Sequence, residues 1–302
     1  MRQQFKVYLL ALGFVLGVTL KALAEEPIFT SFDPPGSILA TGRDINSAGE
    51  IVGRYLDADN NTHGYLRSRD GVFTSIDLPG ANLTNATGIN SRHEIVGAVR
   101  FPGEPSTTRH GYLLTTDGFA TFDFPDATNT DPQGINARGD IVGTYTIAGV
   151  THGFLLRGDQ FTSIDFPGAS QTSLHKINSR GQVLGGYVSA DGHGHIFVLS
   201  EGEFRTIDLP DGLAVLPDGG INSRGDIVGT YCDTEPCLGG GRNNHGFLLS
   251  RRGDFTTIDV PGACQTQAEA INSRGDIAGS YDECGAPSGF LLSRAERDEE
   301  ED

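Results

Sequence analysis

The chain has 302 residues, of which 39 are acidic and 22 are basic, so its formal net charge at pH 7 is −17. A surface of this sign repels nucleic acid and anionic lipid, which bind clustered Lys and Arg, and we expect neither as a partner. The length allows two domains, but a single closed β-domain of this size is ordinary.

The N-terminus predicts a secretory signal peptide over residues 1–24. A basic start with Arg2 and Lys6 is followed by an apolar run from Val7 to Leu20 and by the small-x-small cleavage site Ala22-Leu23-Ala24. A membrane anchor is the alternative, but the run is shorter than the roughly 20 apolar residues of a bilayer span. We therefore expect an exported protein, secreted or periplasmic, with no membrane insertion after cleavage.

One motif, Ile-Asn-x-x-Gly-x-Ile-Val-Gly, recurs with a period of about 45 residues, which indicates a repeat architecture. It begins six times, at Ile45, Ile89, Ile135, Ile177, Ile221 and Ile271. Two other segments keep the same period. One is an aromatic strand that ends in Asp, such as Phe161 to Asp165, and the other is His-Gly-aromatic-Leu, such as His245 to Leu248.

Each period contains four short runs of β-branched and aromatic residues, separated by Gly and Pro. The i, i+3, i+4, i+7 spacing of an amphipathic helix is absent from the sequence after the leader. Four strands in each repeat predict an all-β fold, a β-propeller, with residues 25–293 as one domain. A β-solenoid is the alternative, although its coils are usually shorter than this period.

The two ends of the repeat region predict how the ring closes. The aromatic strand Phe29 to Asp33 precedes the first Ile-Asn motif, whereas the last repeat has three strands, ends at Leu292 and lacks a fourth. Residues 28–34 would complete the last repeat, giving six blades of four strands and removing an exposed sheet edge. The tail at residues 294–302 ends in five acidic residues, and we expect it to be disordered.

A tight hairpin should follow each repeated Asn. The third residue after this Asn needs a positive φ, which suits glycine, and His is one of the few other residues tolerated there. The residues at this position are Gly49, His93, Gly139, Gly181, Gly225 and Gly275.

These residues resemble the bacterial HAF-type extracellular repeats, which are characterised by a His-small-Phe strand. The matching segments include His152-Gly153-Phe154 and His245-Gly246-Phe247, together with the Ile-Asn motifs and the aromatic strands that end in Asp-x-Pro-Gly. The resemblance covers roughly residues 28 to 293. It implies an exported protein of β-propeller-like repeats, and it brings no catalytic residues to this chain.

Four cysteines, Cys232, Cys237, Cys264 and Cys284, fall in the last third of the chain. In an exported protein an even number predicts disulfides, although the sequence does not determine the pairing. Local pairing of Cys232 with Cys237 and of Cys264 with Cys284 is one solution. A zinc site is the alternative, but the spacings fit no zinc motif well.

The repeated histidines, asparagines and closing aspartates suggest structural roles, because equivalent positions in successive blades lie far apart. We expect each His to hydrogen-bond within its blade or to a neighbour, and the Asn and Asp side chains to stabilise turns. Asp57 to Asn61 resembles the start of a calcium loop, but Thr62 and Ser68 stand where such a loop needs Gly and Glu. We predict no metal site and no cofactor, with calcium as a weak candidate.

Function should lie where the repeats differ. Three connections are longer than their equivalents, namely Arg100 to Arg109, Pro210 to Gly220 and Cys232 to Asn244, and all should lie on one loop-rich face. The residue two before the repeated Ile also varies and should line the mouth of the central channel. The residues at this position are Arg43, Thr87, Gln133, His175, Gly219 and Glu269.

We therefore predict a monomeric binding module that holds a protein or glycan ligand at its loop-rich face. The ligand-binding candidates are Arg43, Thr87, Gln133, His175 and Glu269. The alternative is a hydrolase or lyase of an extracellular polymer, with Arg43, His175 and Glu269 as its acid–base set. Arg43 and Glu269 lie in adjoining blades and could instead pair with each other, so whether the protein is an enzyme stays open at this point.

Overall fold

A computed structural model of the chain describes residues 27–210, 213–216, 218–232 and 244–293. The predicted signal peptide, the acidic tail and Cys237 lie outside these residues. The described chain forms strands and no α-helix. The strands are β1 (Ile28–Phe32), β2 (Ser37–Ile45), β3 (Ile51–Asp57), β4 (Thr62–Arg67), β5 (Phe73–Ile76), β6 (Leu83–Ile89), β7 (Ile95–Arg100), β8 (His110–Thr115), β9 (Gly118–Phe122), β10 (Asn129–Ile135), β11 (Ile141–Ile147), β12 (Val150–Arg157), β13 (Gln160–Ile164), β14 (Gln171–Ile177), β15 (Val183–Val188), β16 (Gly194–Ser200), β17 (Glu203–Ile207), β18 (Ala214–Val215), β19 (Gly220–Ile221), β20 (Ile227–Cys232), β21 (Asn244–Leu249), β22 (Phe255–Ile258), β23 (Gln265–Ile271), β24 (Ile277–Asp282) and β25 (Ser288–Ser293).

The strands follow the sequence repeat as antiparallel units, each containing one Ile-Asn motif. Units one to four are β2–β5, β6–β9, β10–β13 and β14–β17. Unit five is β18–β22, in which β18 and β19 both pair with β20. Unit six is β23–β25, and β1 adds to it as a fourth strand. Each first strand lies against the first strands of the units beside it, and β2 lies against both β6 and β23. The arrangement is that of a β-propeller, with the first strands innermost.

The number of separate sheets differs from the prediction. Units three to six form four free-standing blades, whereas units one and two share one eight-stranded sheet. The physical cause is a single parallel bridge between Thr62 of β4 and Leu83 of β6. The structure therefore has four independent blades where the sequence predicts six.

The N-terminal strand pairs as the repeat boundaries predict. Residues 28–32 run antiparallel to β25, from Ile28 opposite Ser293 to Phe32 opposite Gly289. The Phe32 ring is 6% exposed and lies 6.4 Å from the ring of Tyr65 in unit one, measured between centroids. Strand β1 therefore belongs to the sheet of unit six and packs against unit one.

The core consists of the aromatic residue of each His-Gly-aromatic segment and the Ile-Val pairs around it. Its largest members are fully buried and occupy equivalent positions in the third strands, namely Tyr65, Tyr112, Phe154, Phe197, Phe247 and Phe290. The neighbouring glycine of each Ile-Val-Gly segment leaves room for the ring. A Cβ atom on Gly143, for example, would lie 2.9 Å from Cε1 of Phe154.

The hairpins after the repeated asparagines have the backbone conformation that the sequence predicts. The residue three places after Asn has a positive φ in every repeat: Gly49 (87°), His93 (62°), Gly139 (88°), Gly181 (83°), Gly225 (90°) and Gly275 (96°).

The connection Arg100 to Arg109 and the described part of Pro210 to Gly220 lie on the face opposite these hairpins, because strands alternate in direction within each unit. The connection Cys232 to Asn244 falls mostly outside the described residues. Cys264 and Cys284 form a disulfide on this face, with their Cα atoms 5.3 Å apart. It joins the start of the first strand of unit six to the loop after its second strand and confirms this part of the predicted pairing. The suggested Cys232–Cys237 pair lies outside the described residues. No helix in the described ranges is long and apolar enough to cross a membrane.

Candidate functional site

The variable residues two places before the repeated Ile lie at β-bulges in five of the six units. In units one to four and six, the pairing of the first strand with the second skips one residue at this position. A bulge adds an unpaired residue and re-aims its side chain. In unit five the strand is broken at the same place, and Gly219 has a φ of 127°. The skipped residues are Arg43, Thr87, Gln133, His175 and Glu269.

All six variable positions converge on one cavity of about 150 Å³ in the centre of the molecule. The predicted ligand-binding residues are therefore brought together. Gly219 adds no side chain to the wall, and Asp218 fills part of that side.

Arg43 and Glu269 form a salt bridge, in which Nη1 of Arg43 lies 3.1 Å from both carboxylate oxygens. The carboxylate of Glu269 raises the pKa of Arg43 more than burial of the guanidinium group lowers it. His175 lies on the same cavity, and its Nε2 is 2.8 Å from the hydroxyl oxygen of Ser173. The three candidate catalytic residues therefore line one pocket, with Arg43 and Glu269 paired to each other.

A larger cavity of about 460 Å³ continues from this centre to the loop-rich face. Arg43, Asp218 and Glu269 belong to both cavities. We call the two together the mouth chamber. Its outer wall adds Arg54, Leu216, Gln265, Gln267, Tyr281 and Pro287.

Asp218 is a member of this site that sequence reasoning missed. The long Pro210 to Gly220 connection interrupts the first strand of unit five between β18 and β19 and carries Asp218 into the chamber. Burial, together with the nearby charge of Glu269, raises the pKa of Asp218 to about 7, against the opposing effect of Arg43. The sequence signal was the insertion itself, which does not reveal which of its residues turns inward.

Two further charged residues act on the chamber from other units. Burial raises the pKa of Asp131 to about 6, although Arg43, Arg109 and Arg54 lower it. Burial and the charge of Arg43 lower the pKa of Arg54. Positive and negative groups therefore face each other across the chamber, partly desolvated.

A buried ion pair forms the floor of the chamber. Nζ of Lys176 lies 3.5 Å from Oδ2 of Asp44 and donates hydrogen bonds to the carbonyls of Thr87 (2.6 Å) and Gln133 (2.8 Å). These contacts join four units across the centre. Burial raises the pKa of Asp44 and lowers that of Lys176, and in each case the partner's charge opposes this shift.

A pattern in the sequence marks this ion pair. The residue directly before the repeated Ile is small in four repeats, at Gly88, Gly134, Gly220 and Ala270, but charged in the other two. The exceptions, Asp44 and Lys176, have opposite signs and occur three repeats apart. Comparing the repeats at this position would have identified them.

The repeated asparagines line a separate cavity of about 330 Å³ on the hairpin face. As predicted, each side-chain oxygen stabilises its turn; Oδ1 of Asn46, for example, accepts the N–H groups of Ala48 (2.9 Å) and Glu50 (3.0 Å). The side-chain amide has a second role that the sequence does not reveal. Nδ2 of Asn46 donates to the carbonyl of Asn90 in the next unit (3.3 Å), and Nδ2 of Asn272 in unit six donates back to the carbonyl of Asn46 (3.1 Å).

The repeated histidines hydrogen-bond within their own units, as predicted. Each uses Nδ1 to contact the aspartate that closes the fourth strand, in the pairs His63–Asp77 (2.8 Å), His110–Asp123 (2.9 Å), His152–Asp165 (2.9 Å) and His245–Asp259 (2.8 Å). Across the described ranges, no group of three or more His, Cys, Asp or Glu side chains has the arrangement of a metal site.

No protein-family model matches the chain, and no curated protein matches it in sequence. Solved structures do match in fold. Virginiamycin B lyase from Staphylococcus aureus is 13% identical, with a TM-score of 0.51 over 88% of this chain and 99% of that one. The β-propeller domain of the Trilobed protease from Pyrococcus furiosus is 10% identical, with a TM-score of 0.51 over 86% and 95%. The fucose-specific lectin from Aleuria aurantia is 11% identical, with a TM-score of 0.52 over 89% and 100%. Together with the strand topology, these likenesses establish the fold as an all-β propeller.

Proposed function

We propose that this protein is an exported binding module that holds its ligand, a protein or a glycan, in the mouth chamber of the loop-rich face. The observation that carries the proposal is the convergence of the variable bulge residues on one cavity. The residues that every repeat shares build the scaffold, whereas those that differ between repeats face the chamber. A rigid scaffold that presents variable side chains at one mouth suits recognition.

We propose that the scaffold itself is a closed ring of six blades. A single bridge joins the two halves of the eight-stranded sheet, so each half has the strand complement of one blade. The pairing of β1 with β25 and the hydrogen bond from Asn272 to Asn46 support closure between units six and one. A closed ring would hold the chamber walls in fixed positions before the ligand binds, which reduces the entropy lost on binding.

The ion pair at the floor of the chamber favours a binding site rather than a pore that runs through the molecule. Lys176 lines both the mouth chamber and the cavity of the hairpin face, and its ion pair with Asp44 lies between them. A ligand would therefore enter and leave through the loop-rich face.

A glycan and peptide array probed with the protein lacking residues 1–24 tests the proposal. The mouth variant combines Arg54→Ala with Gln267→Ala, and the matched control combines Arg180→Ala with Ser179→Ala on the opposite face. We expect the mouth variant to lose at least tenfold in affinity and the control to bind like the wild type. Equal loss in both variants, or none in either, would contradict the placement of the site.

Hydrolase or lyase activity at the chamber is the second candidate, and Asp218 is the observation that favours it. A carboxyl group with a pKa near 7 beside a second carboxylate, Glu269, could exchange protons at neutral pH. The fold likenesses fit either candidate, because they include both a lyase and a lectin. Product release from an extracellular polysaccharide panel, lost in Glu269→Gln but retained in Arg180→Ala, would favour the enzyme.

We also propose that the protein belongs to the HAF-type repeat family, that it resides in the periplasm or the medium, and that it is a monomer. The Cys264–Cys284 disulfide supports an oxidising compartment. We propose that binding needs no metal or other cofactor, so the array should give the same hits with calcium and with a chelator.

A further inference from the structure

The mouth chamber contains buried polar atoms that have no hydrogen-bond partner within the described protein. Two are donors, the Nε–H groups of Arg43 and Arg54, one is an acceptor, Oδ1 of Asp218, and one is the hydroxyl group of Thr41, which can do both. A buried polar group without a hydrogen-bond partner is destabilising, so a chamber of this kind is selective for ligands that supply the partner. The ligand must accept hydrogen bonds from guanidinium groups and donate them to carboxyl groups in the same small space.

The charges on the wall disfavour a ligand with a large net charge. Arg43 and Arg54 face Asp218 and Glu269 around the same cavity. An anion placed among the guanidinium groups would meet two carboxyl groups nearby, and a cation would meet the two arginines. A hydroxyl group avoids this conflict, because it donates to a carboxylate and accepts from a guanidinium through one oxygen atom.

The salt bridge within the chamber also disfavours a zwitterion such as a free amino acid. Arg43 and Glu269 already neutralise each other at 3.1 Å, which leaves Arg54 and Asp218 as the main groups for the ligand. Because burial raises the pKa of Asp218 to about 7, this group is ionised in only part of the molecules at neutral pH, so it repels an anion and balances an ammonium ion only in that fraction. Its protonated form donates a hydrogen bond as well as accepting one, as a polyhydroxyl ligand requires.

The size and the apolar part of the wall fit the same class of ligand. The outer cavity measures about 460 Å³, within the roughly 300–1,000 Å³ range of small-ligand sites. Leu216, Tyr281 and Pro287 give it an apolar side. A sugar ring has both kinds of surface, with hydroxyl groups at its rim and C–H groups on its faces.

We infer that the mouth chamber binds an uncharged saccharide unit, through hydroxyl groups that bridge Arg54 and Asp218. The inference rests on the proposed binding function and narrows its ligand class from protein or glycan to a neutral glycan. The asparagines common to all repeats and the His–Asp pairs of four repeats take no part in this recognition.

The test is titration calorimetry of the protein lacking residues 1–24 with neutral mono- and disaccharides, uronic acids and free amino acids. We expect binding only in the neutral set. Because a neutral saccharide carries no net charge, its affinity should change less than twofold between 50 and 500 mM NaCl. Salt would screen the interaction of a charged ligand with the chamber and weaken its binding. Preference for uronic acids or amino acids, or a steep salt dependence, would overturn the inference.

Variants locate the binding. Asp218→Ala should weaken the neutral saccharide at least tenfold, and Arg54→Ala, on another unit, provides a second test if the first variant fails to fold. Asp117→Asn, on an exposed hairpin of the opposite face, is the control and should bind like the wild type. Unchanged binding in both Asp218→Ala and Arg54→Ala would also overturn the inference.

The two proposals fail in different ways. If the array identifies a peptide that needs Arg54 and Gln267, the binding function holds and the saccharide inference is wrong. If no ligand in either experiment depends on chamber residues, the proposed function fails and the inference fails with it.

Discussion

At the scale of the residue, the buried charged side chains around the chamber differ from the residues at equivalent positions in the other repeats. Asp44, Asp218 and Lys176 each replace what is a small or apolar residue at equivalent positions in other units. Burying an ionisable group is costly unless it is paired or changes its protonation state. Lys176 and Asp44 are paired with each other, whereas Asp218 changes its protonation state because its pKa is raised to about 7. Their positions are therefore explained better by a role at the chamber than by stability.

Asp218 should make the stability of the protein depend on pH. Its folded pKa of about 7 lies above the roughly 3.9 of an unfolded Asp, so the folded state binds this proton more tightly. The stabilisation is fully present below about pH 4 and is lost as the pH rises through about 7. Asp218→Asn removes the titration. Between pH 5 and pH 8, its free energy of unfolding should fall by about 2 kcal/mol less than that of the wild type.

Urea unfolding at the two pH values measures this difference. Asp117→Asn, at an exposed hairpin position, controls for the loss of a carboxylate and should follow the wild type. If Asp218→Asn has the same pH dependence as the wild type, Asp218 ionises as an ordinary surface carboxyl group, and the polar contacts inferred for the chamber need revision.

At the scale of the element, the Ile-Asn hairpin combines two functions in one side chain. The oxygen of Asn46 stabilises its own turn, whereas its amide reaches the next unit at the carbonyl of Asn90. The same side chain is 4% exposed, so water cannot replace these bonds easily. The repeated Asn therefore fixes both the hairpin and the spacing between units.

Asn46→Ala should lower the free energy of unfolding by about 2 kcal/mol, because it removes these bonds and leaves buried backbone groups without partners. Ser47→Ala, at the exposed neighbouring position, is the matched control and should change stability by less than about 0.5 kcal/mol. Chemical denaturation of the two variants beside the wild type measures the difference. Equal effects would mean that neither the turn bonds of Asn46 nor its bond to the next unit contributes measurably to stability.

At the scale of the whole molecule, the N-terminal strand links the two ends of the repeat region. Strand β1 pairs with β25, and Phe32 packs between the ring of Tyr65 in unit one and the sheet of unit six. An aromatic contact at this place ties the last unit to the first. Stability should therefore depend on one strand that lies far in sequence from its partners.

Phe32→Ala should cost about 3 kcal/mol, the typical loss for a buried aromatic residue. Ile28→Ala in the same strand is the control, since Ile28 is 51% exposed and Phe32 is 6% exposed. Calorimetric unfolding should show one cooperative transition at a lower temperature for Phe32→Ala and little change for Ile28→Ala. If both variants melt like the wild type, β1 does not stabilise the contact between unit six and unit one.

The sequence by itself determined the all-β repeat, the position of each hairpin, the structural role of the repeated histidines and the variable position that lines the chamber. These features follow from local chemistry that recurs: Asn-x-x-Gly turns, His-Gly-aromatic strands and alternating apolar residues. The fold likenesses, at 13% identity or less, agree with this architecture.

Only the tertiary structure decided which groups meet across the centre. Lys176 reaches Asp44 because the first strands of units one and four, with two repeats between them, meet at the centre, and Asp218 enters the chamber because an insertion breaks one inner strand. The bridge that merges the first two units into one sheet is likewise a contact between separate strands. Such contacts depend on how the units are arranged around the centre, which no single repeat encodes.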